Sequence, residues 1–203
     1  MCEPDFAWPA SSVVLLSGGM DSAAVFTLAR QSKARQVHAL FVDYGQPAVE
    51  PERKAARELH RHLEGDGFHE VTVHGLCTGD MVLDAGEESP RVVPARNLVL
   101  AGLGVNLASS LGAEAVILGV TRGDHADYID CRPLFYAAMA PLVSQLDVAV
   151  MTPLIKEPKS YAYWVLRSGG VPPEMTWSCY TPVGGEPCGS CNSCKLRSDL
   201  WED

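Results

Sequence analysis

Residues 12–22 read Ser12-Val13-Val14-Leu15-Leu16-Ser17-Gly18-Gly19-Met20-Asp21-Ser22, and this stretch decides the fold of the chain. It begins with a short apolar run that ends at two glycines, which is typical of a buried parallel strand. A segment with the composition of a helix follows. This order places the free N–H groups and the positive dipole end of the helix beside the glycine turn, where they bind anions.

Residues 17–22 form a candidate phosphate loop. Gly18 and Gly19 let the backbone approach an anion, Ser17 and Ser22 can donate hydroxyl hydrogen bonds, and Asp21 can hold a Mg²⁺ ion that bridges phosphates. The loop lacks the Gly-Lys-Ser/Thr ending of a Walker loop, whose lysine serves attack at the terminal phosphate. We therefore expect attack at the α-phosphate, with pyrophosphate as the leaving group. The alternative is that residues 17–22 form only a tight turn. A tight turn would not require a strand before it and a helix after it, whereas a phosphate loop does.

Strand-like and helix-like segments alternate five times along the chain. The predicted strands are residues 12–16, 37–43, 70–73, 115–120 and 148–151, and the predicted helices are residues 23–30, 50–63, 96–111, 133–146 and 160–167. This alternation predicts an α/β fold, a doubly wound five-stranded parallel sheet with helices on both faces. Ligands of such sheets bind at the carboxyl ends of the strands, so the loops at residues 17–22, 43–46 and 121–132 are expected to form the site.

Two further segments show no clear hydrophobic periodicity of a helix or a strand. Residues 75–93 are rich in Gly, Asp, Glu and Pro and are interpreted as a mobile loop that could close over the site. From residue 169 onward the chain is expected to be loop-like and built around cysteines. The predicted organisation is therefore an ATP-binding domain at residues 1–168 and a zinc-binding segment at residues 169–203 that packs on the same domain.

Four of the seven cysteines have the spacing C-x8-C-x2-C-x2-C; they are Cys179, Cys188, Cys191 and Cys194. The C-x2-C step lets neighbouring sulfurs converge on one metal ion, and four thiolates complete a tetrahedral zinc site. An odd total with one tight cluster is not typical of a disulfide framework. Because a full thiolate set leaves no open position, the Zn²⁺ is expected to be structural. Cys2, Cys77 and Cys131 are interpreted as bystanders.

Composition excludes some classes of function. The net charge is −9 and charged residues make up 20% of the chain, so a surface that grips a nucleic-acid backbone is not expected. The longest apolar runs fall short of a membrane helix, and residues 1–10 lack the basic start and apolar centre of a signal peptide. The expected location is the cytoplasm.

Several short elements resemble those of the 7-cyano-7-deazaguanine synthase (QueC) family, within the pyrophosphate-loop ATP pyrophosphatases. Residues 17–22 are similar to the loop signature of that superfamily. The C-terminal signature of the family is matched by Trp177-Ser178-Cys179-Tyr180 and by Cys188-Gly189-Ser190-Cys191-Asn192-Ser193-Cys194-Lys195-Leu196-Arg197. Further matches in chain order are Asp43-Tyr44-Gly45-Gln46, Val93-Pro94-Ala95-Arg96-Asn97, Asp127-Tyr128-Ile129-Asp130-Cys131-Arg132, and Thr152-Pro153-Leu154 with Lys159.

The resemblance implies an ATP-dependent carbon–nitrogen ligase. Such an enzyme adenylates 7-carboxy-7-deazaguanine, forms the amide with ammonia, and activates the amide with a second ATP to give the nitrile. ATP is then a co-substrate used with Mg²⁺, the partners are the deazapurine and ammonia, and the protein is a homodimer. The expected ATP-binding residues are Leu16, Ser17, Gly18, Gly19, Met20, Asp21, Ser22, Asp43, Tyr44, Gly45, Gln46 and Gly119.

The residue types also suggest roles on the substrate. Lys159 and Arg96 are the candidate cations beside the α-phosphate. A guanine-like ring presents adjacent N–H donors along one edge, and Asp130 or Asp124 could accept both, while Tyr128 could stack on the ring. The expected catalytic set is Asp21, Arg96, Asp130, Arg132 and Lys159, and the expected substrate set is Arg96, Asn97, Asp124, Tyr128 and Asp130. Asp130 and Arg132 could instead simply pair with each other.

The chain departs from the family pattern in three places. Pro47-Ala48 stand where the family has Arg-His, Lys159-Ser160-Tyr161 stand where it has Lys-Ala-Glu, and Ala95 replaces a glycine. These positions are expected near the substrate, the ammonia or a partner subunit. Adenylation is therefore a firmer expectation than the identity of the amine or of the final product.

Three alternative functions stay open at this point. A paralogue could stop at the amide, or could join the activated deazaguanine to another amine, such as a protein terminus. A tRNA-modifying enzyme shares the loop but would normally bring a basic surface. A non-catalytic zinc interaction module would not need the intact residues of the loop.

Overall fold

The computed structural model describes residues 7–32, 34, 36–76, 93–126 and 128–201. Most of the predicted lid at residues 75–93 lies outside these residues, as do Cys2, Cys77 and Asp127. In the part of the chain that the structure describes, no helix is both long enough and apolar enough to span a membrane.

The sheet has five strands in the spatial order β3-β2-β1-β4-β5. Every neighbouring pair is parallel. The strands are β1 (Ser11–Leu15), β2 (Gln36–Asp43), β3 (Gly67–Thr72), β4 (Ala115–Ile117) and β5 (Ala149–Met151). The chain order reverses between β1 and β4, which creates a crevice at the carboxyl ends of these two strands. The predicted doubly wound parallel sheet is confirmed.

Two hydrophobic cores lie on opposite faces of the sheet. Along β1 the side chains alternate, with Val13 and Leu15 in one core and Val14 in the other. One face is covered by α1 (Met20–Gln31), α2 (Val49–His62) and α5 (Lys159–Ser168). The other face is covered by α3 (Arg96–Leu111) and α4 (Pro133–Val143). Because β1 is buried on both faces, its sequence shows an unbroken apolar run rather than an alternation.

Most predicted boundaries are off by a few residues, with α3 as the exception. The prediction that α1 begins at residue 23 was wrong, because Met20 to Ser22 already form its first turn. The prediction that β4 runs to residue 120 was also wrong. Ile117 is the last β4 residue paired with both neighbouring strands, and the chain then leaves the sheet to enter the crevice.

The expectation that the chain is loop-like from residue 169 onward was wrong for part of that segment. Pro173–Met175 form a short 3-10 helix, and Asn192–Trp201 form a regular helix, α6. Leu200 packs against the core formed by α1, α2 and α5. Arg197 donates to the hydroxyl groups of Thr176 and Ser178. Tertiary contacts therefore stabilise this helix. Its ten residues have only weak apolar periodicity, so the sequence did not predict it.

Candidate active site

A cavity of about 290 Å³ opens at the carboxyl ends of the strands. The loops after β1, β2 and β4 meet in its wall, as expected for a doubly wound sheet. The starts of α3 and α5 and part of the C-terminal segment complete the wall. The predicted residues that line the cavity are Ser17, Gly19, Met20, Asp21, Ser22, Tyr44, Gln46, Arg96, Asn97, Gly119, Asp124, Tyr128 and Lys159.

The phosphate loop is shaped by its own hydrogen bonds. The Ser22 hydroxyl donates to the Gly19 carbonyl oxygen over 2.9 Å, and its oxygen lies 3.1 Å from that of Ser17. Gly18 has φ +83°, a left-handed conformation that favours glycine. A Cβ at Gly18 would also lie only 2.5 Å from the carbonyl oxygen of Glu52 in α2. The loop therefore needs a glycine at position 18 for both conformation and space.

Gly119, at the end of β4, lies directly against the first turn of α1. A Cβ at this position would lie 2.6 Å from the Asp21 carbonyl group and from the Ser22 backbone nitrogen. These contacts are to backbone atoms that hold the phosphate loop in place. Any side chain at position 119 must therefore displace the loop.

We expect Gly119→Ala to weaken nucleotide binding and to lower the free energy of unfolding by about 1–3 kcal/mol, because overpacked cores cost that much. Equilibrium binding of a non-hydrolysable ATP analogue and denaturant unfolding measure the two effects. Gly102→Ala is the matched control, since Gly102 lies in α3 with no atom within 4 Å of an added Cβ. This control should leave nucleotide affinity unchanged. Equal affinity in the two variants would contradict the steric account.

A charged pair lies at the bottom of the cavity. The Lys159 ammonium group donates a hydrogen bond to Oδ2 of Asp21. Burial raises the pKa of Asp21, and the neighbouring Lys159 offsets this increase only in part. Burial lowers the pKa of Lys159, but Asp21 and Asp124 outweigh it, so the net change is upward and the amine stays charged. The pair thus places a fixed cation beside the phosphate loop.

A second polar group lies toward the end of β2, and it contains Arg96, Tyr44, Gln46 and Glu52. Arg96 donates to the Tyr44 hydroxyl over 3.3 Å. Gln46 Nε2 donates to Glu52 Oε2 over 2.9 Å. Burial raises the pKa of Glu52 to about 7, although the Gln46 amide and Arg96 act in the opposite direction. The cavity therefore carries two separate sets of charged groups.

The C-terminal segment supplies one wall of the cavity and touches the phosphate loop. The Trp177 backbone N–H donates to the Gly18 carbonyl oxygen over 2.8 Å, and the Trp177 indole N–H donates to the Cys179 carbonyl oxygen over 2.7 Å. Further residues from this segment line the cavity; they are Ser178, Tyr180, Ser193 and Leu196. The first cysteine of the cluster is thus two residues from a direct contact with the phosphate loop.

The four C-terminal cysteines are brought together as predicted. Their Sγ atoms all lie within 4.8 Å of one another, and those of Cys188 and Cys194 are 4.0 Å apart. Four sulfurs bound to one zinc ion at about 2.3 Å would be about 3.8 Å apart. Backbone N–H groups of Ser190 and Cys191 lower the pKa of Cys188, while burial raises the pKa values of Cys179 and Cys194, so Cys188 is the sulfur most readily present as the thiolate that a metal requires. The cluster therefore fits a metal ion.

A model of the family described as "Queuosine biosynthesis protein QueC" matches residues 11–203. The chain belongs to the QueC family. Relatives named 7-cyano-7-deazaguanine synthase include one from Synechococcus sp. (strain CC9902), 34% identical over 95% of this chain and 93% of the relative. Another, from Anaeromyxobacter sp. (strain Fw109-5), is 37% identical over 92% of this chain and 89% of the relative. The match thus includes both the phosphate loop and the cysteine cluster.

Solved structures support the fold of this QueC-family chain. NMN synthetase from Francisella tularensis superposes with a TM-score of 0.61 at 16% identity, over 95% of this chain and 77% of that one. The U34-tRNA thiolase NcsA from Methanococcus maripaludis, solved with its [4Fe-4S] cluster, gives a TM-score of 0.57 at 14% identity, over 97% of this chain and 66% of that one. At such identities the likeness concerns the fold alone.

Several predicted site residues lie outside the described lining of the cavity. Leu16 is fully buried in the core, and Asp43 pairs with Arg53 of α2 and accepts the Gly45 N–H. Asp130 accepts the backbone N–H of Asn97 over 2.9 Å. Arg132 is exposed and donates to the His125 carbonyl oxygen. In the described part of the chain these residues, like Gly18, are not among those that line the cavity.

The residues that depart from the family pattern lie in different places in the structure. Pro47 and Ala48 line the cavity, as expected. Tyr161 instead packs against the core and stacks on Trp164, with ring centroids 5.6 Å apart. Ala95 has φ +54°, and the conformation explains why a glycine suits this position.

Glu52 and the cavity wall formed by the C-terminal segment were not predicted from the sequence. Glu52 lies in the first turn of α2, six residues after Gln46, and this turn brings it back over the end of β2. Trp177 and Tyr180 flank Cys179, so their closeness to a predicted metal ligand was the available signal. Only the tertiary structure shows that the C-terminal segment passes the carboxyl end of β1, so that these two side chains reach the cavity.

Proposed function

We propose that this QueC-family chain uses ATP to convert 7-carboxy-7-deazaguanine and ammonia through the amide to 7-cyano-7-deazaguanine. The observation that carries the proposal is that the intact phosphate loop and the Arg96-Asn97 element line one cavity. The cavity carries two separate sets of charged side chains, the Asp21–Lys159 pair and the set that contains Arg96 and Glu52, and these suit two different ligands. The names of the relatives supply the expected product.

In the proposed reaction the phosphate loop holds the leaving pyrophosphate. A substrate carboxylate oxygen attacks the α-phosphorus, and the bond to pyrophosphate breaks. Lys159 and Arg96 would stabilise the negative charge that develops around the α-phosphate. Ammonia then attacks the acyl carbon and AMP leaves. The amide oxygen then attacks the α-phosphorus of a second ATP and pyrophosphate leaves, and elimination of AMP with loss of the amide N–H protons gives the nitrile.

Asp21 would hold Mg²⁺ in this proposal. Its Oδ1 atom is buried and has no hydrogen-bond partner among the described residues, which suits a hard cation. A bound Mg²⁺ ion would neutralise phosphate charge. Asn97, Asp124 and Tyr128 would contact the substrate. Asp130 and Arg132 would position the start of α3 and the turn at His125.

The metal in the cysteine cluster is proposed to be structural Zn²⁺. Four thiolates leave no coordination position open for a substrate, and a thiolate set suits zinc. Leu200 and the Trp177 N–H tie the segment to the remainder of the chain, which supports one domain with an attached zinc segment. Thiolate ligands also favour the reducing cytoplasm as the location.

A homodimer is also proposed, and exposed apolar side chains of α4 and of the turn before it support it. Leu134 and Leu142 of α4 are 81% and 68% exposed, and neighbouring Ile129 is 73% exposed. Exposed apolar surface of this kind marks interaction sites.

The experiment supplies the zinc-loaded protein with ATP, Mg²⁺, ammonium and 7-carboxy-7-deazaguanine, and follows base and nucleotide by mass spectrometry. We expect nitrile, with two AMP formed for each acid consumed. Omitting the acid is the control and should abolish AMP formation. Amide alone would show that adenylation occurs without the second step. ATP consumption that does not depend on the acid would overturn the substrate assignment.

A further inference from the structure

Three carboxylates from the described residues line the cavity, and two of them already have defined partners near the phosphate loop. Asp21 is paired with Lys159. Asp124 Oδ2 accepts both the backbone N–H and the hydroxyl of Thr121, each over 2.9 Å. The Glu52 carboxyl lies beside Arg96 and the Tyr44-Gln46 turn, while its backbone carbonyl lies against Gly18 of the phosphate loop. Glu52 is therefore the carboxylate best placed to meet the second ligand, and this assignment gives Tyr44 and Gln46, which the sequence predicted to bind ATP, to the site of the base.

Glu52 is held by a hydrogen-bond network that fixes the orientation of the Gln46 amide. Gln46 Oε1 accepts the Tyr44 backbone N–H over 2.9 Å. Gln46 Nε2 donates to the Val42 carbonyl oxygen and to Glu52 Oε2. Because the amide oxygen is already engaged by an N–H donor, the amide nitrogen must face Glu52. The network thus presents Glu52 to the cavity as an acceptor.

We propose that Glu52 recognises the deazapurine base by accepting hydrogen bonds from two adjacent N–H donors, the ring N1–H and the 2-amino group. This inference rests on the proposed function, because it assumes a base with a guanine-type edge. A carboxylate has two oxygens that match two neighbouring donors. Of the earlier candidates for this role, Asp130 does not line the cavity and accepts the Asn97 N–H, and Asp124 lies beside the Asp21–Lys159 pair and binds Thr121.

The donor pattern distinguishes this base from adenine. Adenine presents an N–H donor beside a ring-nitrogen acceptor, so an ionised carboxylate would meet it with one repulsive contact. A guanine-type edge presents donors at both positions. Glutamine has the shape of glutamate but carries one donor and one acceptor. The substitution Glu52→Gln therefore removes the match to a guanine-type edge and would retain a match to adenine.

The titration of Glu52 agrees with this role. Its pKa in the cavity is about 7, and the groups that face it are Gln46, Arg96 and Tyr44. A base that binds the ionised form lowers the pKa of Glu52 in the complex. Base affinity in the wild type should then rise with pH up to about 7 and level off above it. In Glu52→Gln this rise should be absent.

The test measures equilibrium binding of 7-carboxy-7-deazaguanine and, separately, of a non-hydrolysable ATP analogue. We expect Glu52→Gln to weaken base binding by about 10- to 100-fold, because one buried N–H then faces another donor. Affinity for the ATP analogue should stay unchanged, which also shows that the variant is folded. The matched control is Glu50→Gln, in the same helical turn, where the side chain is 77% exposed. This control should bind both ligands normally.

A base analogue distinguishes recognition of the 2-amino group by Glu52 from a general disturbance of the cavity. An analogue with hydrogen in place of the 2-amino group should bind the wild type about 10-fold more weakly. The same change should matter little in Glu52→Gln, because the interaction is already lost. Unchanged base binding in Glu52→Gln would overturn the inference, and so would a loss confined to the ATP analogue, which would place the Glu52 side chain on the nucleotide side of the cavity. Failure of the wild type to bind the base would overturn the proposed function itself.

Discussion

Replacing Lys159 by methionine is expected to lower the rate of acid-dependent AMP formation by about 10²- to 10³-fold, the size of effect seen when one transition-state donor is removed. Lys159 is the cation that the structure fixes beside the phosphate loop, through its bond to Asp21. Methionine keeps the length and apolar stem of the side chain but removes the charge. Affinity for the ATP analogue should fall much less than the rate, because the charge on the α-phosphate grows only during the reaction. Single-turnover AMP formation and equilibrium binding measure the two quantities.

The control for this prediction is Lys156→Met, which makes the same substitution three residues earlier at an exposed position. It should leave rate and affinity unchanged. Thermal unfolding must accompany both variants, because Lys159→Met leaves Asp21 buried without its partner. Since burial already raises the pKa of Asp21, this carboxyl can become neutral, which limits the loss of stability. A Lys159→Met protein with full single-turnover rate would remove the residue from the mechanism.

Replacing Cys191 by serine is expected to release the metal and to weaken nucleotide binding at the same time. Structural zinc contributes on the order of 10 kcal/mol to the folding of a small segment, so losing a ligand should unfold much of the cysteine-bearing region. That region forms a cavity wall and donates the Trp177 N–H to the Gly18 carbonyl oxygen. We expect affinity for the ATP analogue to fall at least about 10-fold, as one lost buried hydrogen bond and the lost wall would together produce.

Metal content by elemental analysis and nucleotide affinity by calorimetry test this coupling. The matched control is Ser190→Ala, which changes the same turn without removing a metal ligand and should retain one metal ion per chain. Stripping the wild type with a chelator should reproduce the effect, and adding Zn²⁺ back should reverse it. Metal-free protein with normal nucleotide affinity would show that the segment and the phosphate loop are independent.

The parts of the site that could be predicted from sequence are those whose chemistry is local. Residues 17–22 carry their own strand, turn and helix start, and Gly18 has the positive φ that such a loop requires. The C-x2-C spacing alone brings neighbouring sulfurs to one metal. The order of strands and helices was predictable for the same reason, because apolar runs buried on both sheet faces are local features.

The remainder of the site depends on residues that are far apart in sequence. Lys159 and Asp21 are 138 positions apart, and Trp177 and Gly18 are 159 positions apart. No local pattern indicates that either pair will meet. Glu52 reads as one more charged residue on a surface helix until α2 packs on β2 and buries its carboxyl group. The sequence alone thus determines the phosphate loop, the metal ligands and the class of fold. Tertiary packing decides which charges face one another in the cavity. Their positions depend on how the helices pack on the whole sheet and on how the C-terminal segment passes the carboxyl ends of the strands.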